Sequence, residues 1–160
     1  DLCLGMDAAS FREHAKVFAT IEGDLASQHT PKEPDLSISD ITTKDGRIYT
    51  FVVRYSPHAV PDERTLVAKV SEIYGPASDT TQDTATDKFN HGLTMMTHHL
   101  WRGDAARITL DIRKTICESV ESSYEYGLRF SDADVEASLS AAAEEEESAK
   151  RKAREDSFVP

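Results

Sequence analysis

The sequence predicts an α+β fold, and three observations carry that prediction. Late in the chain, apolar and polar side chains alternate strictly. Ile108, Leu110 and Ile112 interleave with Arg107, Thr109, Asp111 and Arg113, and Tyr124, Tyr126, Leu128 and Phe130 interleave with Glu125, Gly127 and Arg129. A period of two means a sheet with one face buried and one face wet. Two earlier stretches, 7–21 and 61–74, place their apolar residues at helical spacing instead. Short turns such as Asp45-Gly46 and Gly103-Asp104 join successive strands, which makes those neighbours antiparallel.

Taken in order, Asp7 is placed to cap a helix that runs to about Ile21, with Phe11, Ala15, Phe18 and Ile21 as its stripe. Gly23 to Pro34 reads as a loop. Leu36–Thr42 reads as a strand, and Asp45-Gly46 is a strong hairpin signal before a second strand, Arg47–Tyr55. Tyr49, Phe51, Val53 and Tyr55 share one face of it; Ile48, Thr50, Val52 and Arg54 share the other. Both faces are partly apolar, which suits a central strand.

Pro61, Asp62 and Glu63 suit a first helical turn. Leu66, Val70 and Ile73 form the buried stripe, widened by Val67 and Tyr74, and Gly75-Pro76 ends the helix. Ala77 to Asn90, rich in Thr and Asp, reads as a long linker. Met95–Arg102, Ala105–Lys114 and Tyr124–Phe130 then form a three-strand meander, with a short link through Cys117. Ser131-Asp132-Ala133-Asp134 matches a capping box for a final helix.

In that last helix only Val135 and Leu139 can reach a core. Beyond them come alanines, the acidic run Glu144–Glu147, and then Lys150, Arg151, Lys152 and Arg154. Glu146–Lys150 and Glu147–Arg151 have the favourable i,i+4 order. The expected architecture is an antiparallel sheet of about five strands, a hairpin plus a meander, with two helices packed on it and a charged C-terminal helix. Residues 1–139 form one domain; residues 140–160 form a charged, partly frayed helical tail.

The chain has 160 residues and a net charge of −11, from 29 acidic and 18 basic side chains. That balance argues against nucleic acid, whose phosphates need clustered Lys and Arg. It favours a soluble protein and, where a protein partner exists, a basic one. No apolar run approaches the length of a membrane span.

The two cysteines, Cys3 and Cys117, are too far apart in sequence for a CxxC motif. They are either two free thiols or one long-range disulfide. The first residue is not Met, as in a mature exported protein or a trimmed product. The expectation is export, to the periplasm or outside the cell, with a Cys3–Cys117 disulfide stapling the N-terminus to the sheet.

The usual nucleotide, zinc-protease and hydrolase signatures are missing from the sequence. Met95, Met96, His98, His99 and Trp101 resemble a soft-metal cluster by composition. On a strand, however, Met96, His98 and Leu100 share one side while Met95, Thr97, His99 and Trp101 share the other, so packing is the better reading. Asp132, Asp134 and Glu136 lack the glycine-bearing loop of a calcium site. Asp79, Asp83 and Asp87 read as polar loop. His14, His29, His58 and His91 are isolated. No cofactor, metal site or catalytic residue is assigned. The candidate binding face is the wet side of the last strands: Arg107, Asp111, Arg113, Glu125 and Arg129.

Leu4-Gly5-Met6-Asp7 entering a helix resembles the opening of small exported bacterial α+β proteins. Ile73-Tyr74-Gly75-Pro76, closing a helix ahead of a strand that bears Trp101, adds to that likeness. In layout the chain is similar to β-lactamase-inhibitor-like and outer-membrane-assembly-lipoprotein-like domains, over most of Cys3 to Phe130. The resemblance implies an exported, non-enzymatic binding protein and carries over no functional residue. Two residues precede Cys3, whereas a lipidated cysteine comes first in its mature chain, so a periplasmic or secreted protein is expected rather than an anchored one.

The functional expectation is a non-catalytic binding or accessory protein with a protein partner. One alternative is an acidic inhibitor or immunity protein that blocks a cationic toxin or hydrolase. Another is an enzyme whose residues lie scattered.

Overall fold

The computed structural model describes residues 2–16, 19–20, 30–31, 35–87, 92–117 and 120–157, with backbone alone at 19–20, 30–31, 87, 117, 120–121 and 155–157. In order the elements are α1 (Ala8–Ala15), β1 (Ala19–Thr20), β2 (Thr30–Pro31), β3 (Leu36–Lys44), β4 (Arg47–Tyr55), α2 (Glu63–Tyr74), β5 (Asp79–Asp87), β6 (Gly92–Arg102), β7 (Ala106–Cys117), β8 (Val120–Asp132) and α3 (Ala133–Ser157). The α+β class holds, with three helices and one antiparallel six-stranded sheet in the order β3-β4-β8-β7-β6-β5. β1 and β2 form a separate two-residue pairing.

Asp45 and Gly46 both take positive φ, 52° and 74°, as the tight turn between β3 and β4 requires. The hairpin joins the meander through β4 and β8, from Thr50↔Ser131 to Tyr55↔Tyr126. β4 is therefore flanked on both sides, as its two partly apolar faces predict. Past Ser131 the N-terminal segment takes over the role of β8: Gly5 N–H donates to Ile48 O (2.7 Å), and Ile48 N–H donates to Met6 O (2.9 Å).

The sixth strand is the main departure from expectation. Residues 79–87, expected as linker, pair with residues 92–100 of β6 in unbroken register. With no apolar side chain larger than alanine, β5 has nothing to bury. Its four threonines suit a strand, and its hydrogen bonds to β6 hold it there. β6 starts at Gly92, and β8 runs from Val120 to Asp132, longer than expected at both ends.

Both packed helices lie on one face. Asp7 caps α1, accepting from Ala9 N–H (3.1 Å) and Ser10 N–H (2.9 Å). Phe11 and Ala15 are fully buried with Ile38, Ile41, Ile48 and Phe51. Phe11 meets Phe51 at 5.4 Å between ring centroids, and Phe51 stacks on Phe130 at 4.9 Å. The described helix ends at Ala15; the side chains of Phe18 and Ile21 lie outside the described residues.

Asp62, not Pro61, opens α2; its carboxylate accepts from Thr65 N–H and Thr65 hydroxyl, each at 2.8 Å. Leu66 and Val70 pack with Trp101, Ile108, Leu110, Ile112, Tyr126 and Leu128 in a second core cluster. Trp101 Nε1 donates to Gly75 O (2.8 Å) and pins the end of α2 to β6. Ile73 departs from the expected stripe: it is 73% exposed.

Ser131 does not cap α3. It is buried inside β8, and Asp132 accepts from Asp134 and Val135 N–H (3.1 and 3.0 Å) instead. Among the described residues, only the first turns of α3 touch the body, through Arg107–Glu136 (3.3 Å) and Lys44–Ser138 (3.0 Å). From Ala137 to Arg154 every residue is exposed, and Lys150–Glu146 (2.5 Å) is an ion pair along the helix itself.

Candidate functional site

Strand parity sorts the side chains onto two faces. Phe51, Val53 and Tyr55 of β4 lie beside Phe130, Leu128 and Tyr126 of β8, then Ile108, Leu110 and Ile112 of β7, under α1 and α2. The opposite, wet face carries all five binding candidates: Arg107, Asp111 and Arg113 on β7, and Glu125 and Arg129 on β8. Met96, His98 and Leu100 of β6 and Asp79, Thr81 and Asp83 of β5 continue that face outward.

Cross-strand charge pairs account for part of it. Arg113 sits directly opposite Glu125, with 3.7 Å between charged atoms, and their side chains are 50% and 62% exposed. An exposed pair of this kind contributes only about 0–1 kcal/mol. Arg107 turns to Glu136 of α3. Asp111 meets His98, with Oδ1 and Nδ1 2.6 Å apart, and the other ring nitrogen of His98 is 3.9 Å from Asp83. His98 thus ties β5, β6 and β7 together across the wet face. Arg129 is half-buried and has no ion-pair partner among the described residues. A hollow of about 270 Å³ lies at the outer end, bounded by Asp79, His98, Arg102 and Arg107.

A second feature, not anticipated from sequence, is an apolar cleft of about 330 Å³ between α2 and strands β4 and β8. Tyr55, Val60, Leu128 and Phe130 line its floor, and Lys69 and Ile73 stand on the α2 side. Burial, helped by neighbouring Tyr74, pushes the Tyr55 phenol above its ordinary value of 10.0. Burial, then Tyr124, Glu63 and Asp62, does the same to Tyr126. Both shifts keep the phenols neutral near pH 7, so neither tyrosine is prepared as a base.

One arrangement looks catalytic in outline. Thr80 Oγ1 is 3.0 Å from His99 Nδ1, and His99 Nε2 is 3.5 Å from Glu63 Oε1. A hydroxyl, an imidazole and a carboxylate in line form a triad by composition. None of these cavities brings Thr80 and His99 to its walls: the apolar cleft excludes all three residues, and the wet hollow takes His98 rather than His99. The chain of contacts instead ties the start of α2 to β6 and β5. His98 and His99 fall on opposite faces, as strand parity predicts, and the described residues hold no cluster of three or more metal-ligating side chains.

The expected Cys3–Cys117 staple finds no support among the described residues. Cys3 is an exposed, free thiol. It lies two residues from Gly5, which bonds Ile48, while Cys117 sits ten residues past Arg107 at the opposite end of the sheet. At about 3.3 Å per residue the ends are on the order of 30 Å apart. A disulfide spans at most about 7 Å between Cα atoms. The side chain of Cys117 lies outside the described residues.

No described helix is long and apolar enough to cross a membrane. The chain matches no protein-family model, no curated protein and no solved structure.

Proposed function

We propose that the chain is a non-catalytic binding protein that engages a protein partner through the wet face of its sheet. The observation that carries this reading is the gathering of Arg107, Asp111, Arg113, Glu125 and Arg129 on one face that α1 and α2 leave uncovered. α3 crosses only the end near Arg107 and Lys44. A broad face of mixed charge suits recognition of another macromolecule, since complementary charges steer encounter and reject wrong partners. A small substrate would call for a concave site with convergent reactive groups. Export remains part of the proposal only as the sequence expects it; the cysteines give it no support.

The test is affinity capture from the source cells with the wild-type chain and with a double variant, Arg113→Glu plus Arg129→Glu. Arg113→Glu sets a second carboxylate opposite Glu125, an exposed clash that should cost about 1 kcal/mol or less, so the variant should melt slightly below wild type and stay folded. The expected result is a discrete partner, retained by the wild type and weakened at least about tenfold by the variant. Retention of every captured protein by the variant would sink the wet-face reading. Turnover in a substrate screen, abolished by His99→Ala, would replace it with an enzymatic one.

A further inference from the structure

The outer side of β5 is an open sheet edge among the described residues. β5 ends the sheet, and none of its nine residues pairs with a described strand on the outer side. Which backbone groups stay open follows from the ladder. Gly103 N–H bonds Ala106 O, so odd-numbered residues of β6 point to β7 and even-numbered ones to β5. Leu100, His98 and Met96 face Asp79, Thr81 and Asp83. The N–H and C=O groups of Thr80, Gln82, Thr84 and Thr86 therefore point away from the sheet. The Asp79 carboxylate accepts from Thr80 N–H at 2.8 Å, as an outward amide allows.

Natural sheets blunt such an edge with lysine, proline, a bulge or a covering helix. β5 has no lysine or proline and no register shift, and its residues from Asp79 to Thr86 are all exposed. Its only charges are aspartates. Asp79 and Asp83 lie on the wet face, four residues apart, and the Asp83 side chain is 80% exposed.

Resting on the reading of the chain as a protein-binding module, we propose that β5 accepts an added antiparallel strand from the partner, an extended segment carrying Lys or Arg opposite Asp79 and Asp83. Backbone bonds to Thr80, Gln82, Thr84 and Thr86 would supply affinity, and the two carboxylates would set register and charge preference. A basic side chain four residues from the next satisfies both aspartates. The net charge of −11 steers such a segment toward the molecule. A second copy of the chain fits poorly: full overlap of two β5 strands about a two-fold axis sets Asp83 opposite itself and Asp79 opposite Asp87, and like charges directly opposite destabilise.

The probe is a short synthetic peptide alternating lysine and valine, measured by calorimetry and by amide exchange on the full chain. Binding should slow exchange at Thr80, Gln82, Thr84 and Thr86. Gln82→Pro removes one outward donor, where an edge strand tolerates proline, and should weaken the peptide at least about tenfold. Asp79→Asn with Asp83→Asn should weaken it and flatten its salt dependence. A peptide methylated on alternate backbone nitrogens gives the same comparison without touching the protein's fold.

Equal affinity for the methylated peptide, or undiminished binding to Gln82→Pro, would mean charge attraction without strand addition and would overturn the inference. So would no binding to the wild type, or a concentration-dependent dimer abolished by Gln82→Pro. A natural partner released by Arg113→Glu and Arg129→Glu but indifferent to Gln82→Pro would end strand addition at β5 while leaving the binding function in place.

Discussion

The two edges of this sheet solve one physical problem in opposite ways. β3 is closed off. Ile38 and Ile41, three residues apart, are buried in the same cluster with Phe11, which a regular strand cannot achieve because side chains three apart face opposite ways. A bulge between Ser39 and Thr42 absorbs the extra residue, with Asp40 at φ 51°. Arg54 clamps the bulge, donating to Asp40 Oδ2 (2.8 Å) and Ser39 Oγ (2.7 Å). α1 then covers that side with Phe11. β5 has none of these devices: its register with β6 is unbroken, neither face is buried, and no helix core cluster includes it. An edge that carries hydrophobic weight is distorted and covered, whereas an edge that carries none is left straight and polar. The straight edge is the one able to take a partner strand.

The largest expected effect tests whether that division of labour is energetic. Ile41→Ala leaves a cavity beneath α1 and should cost about 2–5 kcal/mol in denaturant unfolding. Thr84→Ala on β5 should stay within about 0.5 kcal/mol, as exposed substitutions do. Similar losses at the two sites would mean that β5 is as much a part of the core as β3, and the contrast would fail.

The bulge itself provides the next test. Asp40→Val places a β-branched residue at positive φ and removes the Arg54 clamp. The expected loss is about 1–3 kcal/mol. On the straight edge Ala85→Val fits ordinary strand geometry and should change stability by less than about 1 kcal/mol. An Asp40→Val protein as stable as wild type would show that the chain reaches the same burial of Ile38 and Ile41 without the left-handed residue.

These edges also show what the sequence makes legible. The hairpin at Asp45-Gly46, the central position of β4, the alternation of β7 and β8 and the gathering of Arg107, Asp111, Arg113, Glu125 and Arg129 on one face all follow from period and turn chemistry. β5 does not, because Asp79–Asp87 has no apolar rhythm; only its threonines hint at strand, and its pairing is decided by β6. The bulge hides for a related reason: Ile38 and Ile41 at spacing three fit neither a regular strand nor an obvious turn. The apolar cleft needs Tyr55, Lys69 and Leu128 from three separate elements, which no local pattern relates. Ile73 has helical spacing with Leu66 and Val70, yet it stands on the wall of the apolar cleft and stays largely exposed. The disulfide is expected from parity and chain context, neither of which measures distance.

A smaller effect is expected from the tail, and it bears on how β3 is supported. Lys44, at the end of β3, donates to Ser138 of α3 at 3.0 Å. Truncation after Leu139 keeps that bond, and the described side chains it removes, residues 140–154, are all exposed. Stability should change by less than about 1 kcal/mol, because little apolar area is lost. A larger drop in melting temperature would mean that the distal part of α3 folds back and shields a surface, which would leave less of the wet face open to a partner.

The smallest expected effect concerns pH and again separates the two sides. Hydrogen bonds from the Ser10 hydroxyl and then the Ser10 N–H hold the Asp7 carboxyl below its ordinary value of 3.8. A carboxyl with a depressed folded pKa stabilises the folded state above its unfolded pKa, and the contribution disappears as pH falls through the folded pKa. The Asp7 cap should therefore be at full strength above about pH 4 and fade below it. Asp7 caps α1, and α1 carries Phe11 onto Ile38 and Ile41, so the fading is felt on the β3 side. Asp62 caps α2 in the same way, held low by Thr65, and acts as the internal reference. In Asp7→Asn the acid loss at Asp7 is absent while that at Asp62 remains. Amide exchange followed from neutral to acid pH should then show Ile38 and Ile41 losing less protection on acidification in the variant than in wild type, with Leu66 and Val70 unchanged between the two. If acid loosens both sides equally in both proteins, Asp7 does not govern the cover over β3. The closed edge would then rest on its bulge and buried isoleucines alone.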